Sequence, residues 1–353
     1  MDRSENLLAL LDSDTAALIH NSSNIFYLSG YTGEGLLLVA AGIRAVITDF
    51  RYVEAAEKQC PEFTIHAIRP GVGHVKVAME LLEQAGIKKL AIEDNIITVR
   101  AMKDMERDMP GVEFVPLDFK PEQLRRVKDA EELRCIERAC EMTCEAFEYI
   151  CTYIRPGMTE RQIQLELDHK MLSLGSEKLA FNTIVASGEN GSLPHAVPGD
   201  RVVQAGDMVT MDFGARYHGY DADMTRTVAV GQPGEEMRRI YEIVLKAQET
   251  AQAAIKPGMT GCELDKIARD IIAEAGYGEC FGHSLGHGVG IDIHEEPRVS
   301  SRSNDVLEPG HIITIEPGIY VPGLGGVRIE NTCVVTEDGG RPLCSASKEL
   351  RVL

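Results

Sequence analysis

The chain has 353 residues, 44% of them apolar and 26% charged, and a formal charge of −19. This is the composition of a soluble globular protein, too long for one ordinary core and suited to two domains. The negative charge argues against a nucleic-acid or anionic-membrane surface, and no apolar run approaches the roughly 20 residues of a membrane helix. Met1 to Asn6 places no basic segment ahead of an apolar one, so a cytoplasmic protein is expected. The nine cysteines lie far apart and form no CxxC pair, which predicts buried reduced thiols rather than disulfides or zinc ligands.

Up to Pro121, strand and helix signals alternate. Ala16–His20, Gly35–Ala40, Ala45–Thr48, Phe63–Ile68, Lys89–Ile92 and Val112–Val115 read as strands, and Arg51–Gln59, His74–Ala85 and Thr98–Met109 have helical spacing. This is an α/β domain, residues 1–121, with no catalytic constellation and no glycine-rich phosphate loop. Gly30 to Gly35 reads as a surface turn, and Asn21-Ser22-Ser23 as a fortuitous glycosylation sequence.

The second domain, residues 122–353, opens on an amphipathic helix from about Asp129 to Tyr153, with Leu133, Ile136, Cys140, Phe147 and Ile150 on one face. It then repeats itself. Ile154-Arg155-Pro156-Gly157-Met158-Thr159 returns as Ile255-Lys256-Pro257-Gly258-Met259-Thr260, each copy after a long helix and before another, Glu160–Leu174 and Gly261–Ala275. The offset is 101 residues here and 104 between Asp212 and Glu316, which predicts two pseudo-symmetric halves with helices outside and a curved antiparallel sheet inside.

Each half ends in a hairpin bearing two acids. Val209–Phe213 and Asp223–Val230 alternate as strands around a turn at Tyr217 to Tyr220, bringing Asp212 and Asp223 together. Leu307 to Gly318 parallels Val203 to Gly214, with Glu316 where Asp212 stood, and Gly326 to Thr332 carries Glu330. Carboxylates are poor strand formers and costly to bury unpaired, so a cation is expected between them.

Between the hairpins lies Gly282-His283-Ser284-Leu285-Gly286-His287-Gly288-Val289-Gly290, followed by His294-Glu295-Glu296-Pro297-Arg298. Histidines among glycines that permit close backbone approach point to a site. His294-Glu295-Glu296-Pro297 is not the helical HExxH zinc motif, since it lacks the second histidine and contains a proline. Four carboxylates and an imidazole are too many ligands for one tetrahedral zinc ion. They suit two divalent ions roughly 3.5–4 Å apart, bridged by carboxylates and a water-derived hydroxide, and hence hydrolysis. An acid cluster binding a purely stabilising cation is the plainer alternative.

In these contexts Asp212, Asp223, His287, Glu316 and Glu330 resemble the metal ligands of the pita-bread metallopeptidases, and the chain resembles their prolidase and Xaa-Pro aminopeptidase branch. The resemblance runs from a creatinase-type amino-terminal α/β domain to Leu353. It implies a pseudo-symmetric pita-bread domain, a dinuclear centre and exopeptidase action on Xaa-Pro bonds. By the same resemblance Asp212 chelates one ion, His287 and Glu316 hold the other, Asp223 and Glu330 bridge both, and Glu316 shuttles a proton. His195, His283 and His294 match histidines beside the substrate, Arg328 an arginine that orients the site, and Arg298 is placed to meet a substrate carboxylate.

The implied ions are Mn2+ or Co2+ ahead of Zn2+ or Fe2+, the implied substrates proline-containing peptides, and the implied assembly a homodimer. Dipeptidase and aminopeptidase both remain open: Ser284 stands where some dipeptidases of the branch have an arginine, and the far wall of the cleft can come from the partner's Tyr31 to Glu34 loop. A catalytically inactive binding protein of the same fold is the rival reading, and such relatives usually lose ligands that this chain retains.

Overall fold

The computed structural model describes residues 2–353 and divides the chain into two compact units, the first ending at Arg125 and the second spanning Arg126–Leu353. Among the described residues no helix is long and apolar enough to cross a membrane.

The first unit is built on one six-stranded sheet with the order β4-β3-β2-β1-β5-β6. Its strands are β1 (Thr15–Ile19), β2 (Leu36–Ala40), β3 (Ile43–Thr48), β4 (Thr64–Ala67), β5 (Lys89–Ile92) and β6 (Glu113–Pro116). The central strands β1 and β2 are buried along their whole length, which is why they read as apolar runs rather than alternating ones. Helices α1 (Arg3–Leu8), α2 (Ser22–Ser29), α3 (Val53–Gln59), α4 (His74–Ala85), α5 (Val99–Asp108) and α6 (Lys120–Arg125) complete the unit.

Three of these helices, α1, α2 and α6, are missing from the sequence reading, and Pro121 falls inside the third. Asn21 is the N-cap of α2, its side chain accepting from the backbone N–H groups of Ser23 and Asn24, so the glycosylation-like triplet is a helix start. The turn after α2 is only partly a surface turn. Gly30 adopts φ +78°, while Tyr31 is 1% exposed and its hydroxyl hydrogen-bonds Thr48 Oγ1 at 2.8 Å.

The second unit opens on α7 (Ala130–Tyr153), started by an Asp129–Glu132 capping box and burying Cys135, Ile136, Cys140, Cys144, Phe147, Ile150 and Cys151. All nine cysteines are free thiols. The helices α8 (Glu160–Ser173) and α10 (Gly261–Glu274) begin alike, with capping boxes Thr159–Gln162 and Thr260–Glu263. Ahead of them Gly157 and Gly258 adopt φ +94° and +85°, which only glycine takes freely. Each donates its N–H to a matching carbonyl, Gly157 to Val203 at 2.9 Å and Gly258 to Leu307 at 2.8 Å. The repeated Pro-Gly-Met-Thr is therefore a turn and a helix start used twice.

The inner layer is antiparallel. A three-stranded ladder holds β7 (Ile184–Ser187), β8 (Met208–Phe213) and, beyond the small hairpin of β9 (Arg216–Tyr217) and β10 (Tyr220–Asp221), β11 (Met224–Ala229). The helix α9 (Glu235–Ala254) leads to the second half. There a five-stranded ladder, order β13-β12-β14-β17-β18, holds β12 (Gly286–Gly288), β13 (Glu295–Val299), β14 (Ile312–Ile315), β17 (Asn331–Thr336) and β18 (Gly339–Pro342), and a separate pair holds β15 (Gly318–Val321) and β16 (Gly325–Arg328).

Glu330 N–H donates to the Thr225 carbonyl at 3.1 Å and Thr332 Oγ1 to the Asp223 carbonyl at 2.7 Å, so the two halves are joined where the acids lie. Beneath, Ile240, Val244, Leu264 and Ala268 of α9 and α10 pack with Ile313, Ile315 and Ile329 in a buried core.

Candidate active site

The strand register sets the acids. Asp212 near the end of β8 lies opposite Thr225, not opposite Asp223, because the ladder of β8 and β11 begins at the pair Phe213 and Met224. Asp223 is thus the last residue before β11, Glu316 the first after β14, and Glu330 sits in the break between β16 and β17. His287 occupies the middle of β12, flanked by glycines; a Cβ on Gly286 or Gly288 would strike the backbone of Thr314 or Glu296 at 1.9 and 2.3 Å. That close approach carries the imidazole to the acids.

The ligand atoms of Asp223, His287 and Glu330 lie within 4.8 Å of one another. His287 Nε2 is 3.5 Å from Asp223 Oδ2 and 3.4 Å from Glu316 Oε1. Its Nδ1 is 2.9 Å from the Gly288 carbonyl, which can only accept, so the proton is on Nδ1 and the Nε2 lone pair faces the carboxylates. Burial, with His294 adding to it, lowers the pKa of His287 to about 3, so the ring is neutral.

Burial drives the carboxyls the other way, and the neighbouring acids reinforce it. Asp223 and Glu316 are raised well above their ordinary values and Glu330 to about 8. Asp212 Oδ1 and Glu330 Oε1 are buried with no hydrogen-bond partner. Partnerless carboxylate oxygens beside an imidazole lone pair are what a divalent cation satisfies, and an oxygen-rich donor set with one nitrogen suits Mn2+, Fe2+, Co2+ or Zn2+. The residues fit a metal centre.

Arg328 supports the cluster. Its Nη2 donates to Asp212 Oδ2 at 2.7 Å, its Nε to Thr225 Oγ1 at 3.1 Å and its Nη1 to the Tyr320 hydroxyl at 2.8 Å. Thr225 in turn donates to Glu330 Oε2 at 2.7 Å. His283 Nδ1 lies 2.8 Å from the Ser284 carbonyl, so its Nε2 accepts from Tyr320 at 2.9 Å. Burial first, then Arg328, lowers His283 to about 4, and burial raises Tyr320 to about 12. Both stay neutral.

In front of the cluster is a cavity of about 300 Å³. Its walls include nine of the ten site residues singled out from the sequence; the tenth, Glu330, joins Asp223 and His287 in the cluster. His195, His294 and Arg298 are at its exposed mouth. Sequence reading missed Thr225, Tyr320 and an apolar wall of Phe181, Ile184 and Ile293. For Thr225 a signal existed, since period-two alternation puts it on the face of Asp223.

Residues 134–337 match Metallopeptidase family M24, and residues 3–127 match the Creatinase/Prolidase N-terminal domain. An uncharacterized peptidase of Bacillus subtilis, YqhT, is 44% identical across 100% of this chain and 99% of its own. Among solved structures, an Xaa-Pro dipeptidase from Bacillus anthracis superposes with a TM-score of 0.96 at 40% identity, covering 100% of this chain and 99% of that one. An X-Pro aminopeptidase from Thermotoga maritima gives 0.93 at 38%, covering 100% of both chains. With this likeness along its length and a metal-fitting cluster of acids and histidine, the chain belongs to metallopeptidase family M24, a family of divalent-metal enzymes.

Proposed function

We propose that the chain is an exopeptidase that hydrolyses Xaa-Pro bonds with two divalent ions, Mn2+ or Co2+, held by Asp212, Asp223, His287, Glu316 and Glu330. The observation that carries this reading is the pair of buried, partnerless oxygens, Asp212 Oδ1 and Glu330 Oε1, at a cavity with an apolar wall on one part of its lining. Bound ions supply a Lewis acid for the scissile carbonyl and a water acidic enough to attack at neutral pH.

The protein's own groups do the rest. The nitrogen of an Xaa-Pro amide carries no hydrogen and must gain a proton to leave. Glu316 takes the proton of the attacking water on a carboxylate oxygen and gives it to that nitrogen. His195 and His294 hydrogen-bond the oxygen on which charge develops, and Arg298 pairs with the peptide's terminal carboxylate. Phe181, Ile184 and Ile293 receive the proline ring and keep water off it. Arg328 holds Asp212 in place while the ring nitrogens of His283 stay committed to Ser284 and Tyr320. The catalytic domain in this reading is residues 122–353, and the enzyme works as a cytoplasmic homodimer.

The test is metal-depleted protein given Mn2+ or Co2+ and offered an Xaa-Pro dipeptide, an Xaa-Pro-Xaa tripeptide and an Xaa-Ala dipeptide. Ion-dependent cleavage confined to the proline substrates is expected, and the ratio of the first two distinguishes dipeptidase from aminopeptidase. No cleavage of any of them with either ion overturns the proposal.

A further inference from the structure

The turn that presents His294 is tied down by a residue far from it in sequence. Lys128, ahead of α7, donates to Glu295 Oε2 at 2.9 Å, and the two side chains are 2% and 6% exposed. The other carboxylate oxygen of Glu295 accepts the Asp292 N–H at 3.0 Å. Gly290 makes room for this: a Cβ there would lie 2.5 Å from Glu295 Oε2. Lys128 is itself anchored, its N–H donating to the Gly310 carbonyl at 2.9 Å beside a bridge between Val127 and His311. From the opposite side Asp221 N–H donates to the Gly290 carbonyl at 2.8 Å, and Arg216 Nη1 to the Ile291 carbonyl at 2.7 Å. The residues from Gly290 to Glu295 are thus held at both ends, and His294 stands edge-on to His287 with ring centroids 4.4 Å apart.

We infer that Lys128 is a positioning residue: its ammonium fixes the Glu295 carboxylate, the carboxylate fixes the turn, and the turn sets the aim of the His294 imidazole into the cavity. A buried ion pair is a poor source of net stability, because the cost of desolvating both charges offsets their attraction, whereas it fixes geometry well. Removing the ammonium takes a cationic partner from the buried carboxylate and so loosens the carboxylate's hold on the Asp292 N–H. Asp212 and Glu330 are held by Arg328 and Thr225, and His287 keeps its bond to the Gly288 carbonyl.

The kinetic arm of the test rests on the Xaa-Pro exopeptidase reading, and a spectroscopic arm does not. In the metal-loaded full chain, Lys128→Met is expected to lower kcat/KM on an Xaa-Pro dipeptide about tenfold with unchanged metal content. In a His294→Ala background the same substitution is expected to change it less than about twofold, because its effect passes through that ring. Equal losses in both backgrounds overturn the inference. In parallel, with Zn2+ bound, the ε1 proton signal of His294, identified by its loss in His294→Ala, is expected to shift in Lys128→Met while that of His195 holds still. An unmoved His294 signal overturns the inference whether or not any peptide is cleaved. Lys128→Arg should restore both readings, and Glu295→Gln takes the place of Lys128→Met, with the same expectations, if that variant does not fold.

Discussion

Arg328 Nη2 meets Asp212 Oδ2 at 2.7 Å, with only 4% and 13% of the two side chains exposed. The planar fork then spends its other donors on Tyr320, Thr225 and the Pro194 carbonyl at 3.3 Å. Lysine cannot reproduce a fork that bonds four acceptors in one plane. Arg328→Lys is therefore expected to fold and to lose on the order of 10–100-fold in metal affinity or kcat/KM, the usual cost of losing a group that orients a ligand. Isothermal titration of metal into the depleted variant measures it, and wild-type affinity together with wild-type turnover would refute the role.

Thr225 links this arginine to Glu330, accepting from the one and donating to the other. Thr225→Val keeps the shape and deletes the hydroxyl, leaving both Glu330 carboxylate oxygens without a partner in the metal-free protein. A loss of about 1–3 kcal/mol in metal-free stability is expected, the range for an unsatisfied buried polar group. Urea unfolding with chelator present reads it. The deficit should narrow when ions are added, because they partner the same carboxylate.

The acids were legible in the sequence because Asp212 breaks the preference of a strand interior and Asp223, Glu316 and Glu330 stand at the ends of apolar strands in two matching hairpins, and such a breach marks a site. Tyr320 was not, since a tyrosine in a strand is what a strand prefers, and alternation gives Thr225 no more than its place on the face of Asp223; the contacts of the folded chain give both their roles. Of the apolar wall, Ile184 is hidden for the same reason, while Phe181 and Ile293 are single apolar residues in bends, where no periodicity marks a cavity. In the fold, the paired turns at Gly157 and Gly258 announced the internal repeat, whereas α2, with eight residues, is too short for helical periodicity to declare itself. It is held by the burial of Ile25, Tyr27 and Leu28, a tertiary effect.

Asp223 shares with His287 and Glu330 a group of ligand atoms that lie within 4.8 Å of one another. Asp223→Asn removes one charge and half the acceptor capacity at that point, and turnover on an Xaa-Pro peptide is expected to fall below detection. Stability separates loss of metal from loss of chemistry. Metal at about 100 times its Kd should stabilise the wild-type protein by about 2.7 kcal/mol, visible as a rise in Tm. The variant should show little or no rise at that concentration. A variant with the full rise and no turnover would leave Asp223 a chemical role but not a role in holding the ions.

His311, 2% exposed, should make the fold sensitive to mild acid. Its Nδ1 accepts the Glu308 N–H at 3.1 Å, so the native ring is neutral with its proton on Nε2. Burial first, then the nearby Arg126 and Lys128, lowers its pKa from 6.5 to about 4. Between those values the unfolded chain binds a proton that the native state refuses, so the stability contributed by the neutral ring is fully present above 6.5 and is lost as pH falls toward 4. The slope from one such group approaches about 1.4 kcal/mol per pH unit. His311→Gln cannot ionise, so its urea midpoint should fall less than that of the wild-type protein between pH 7 and pH 4.5, other histidines such as His283 and His287 accounting for what remains. Parallel declines in the two proteins would show that His311 is protonated in the native state without cost.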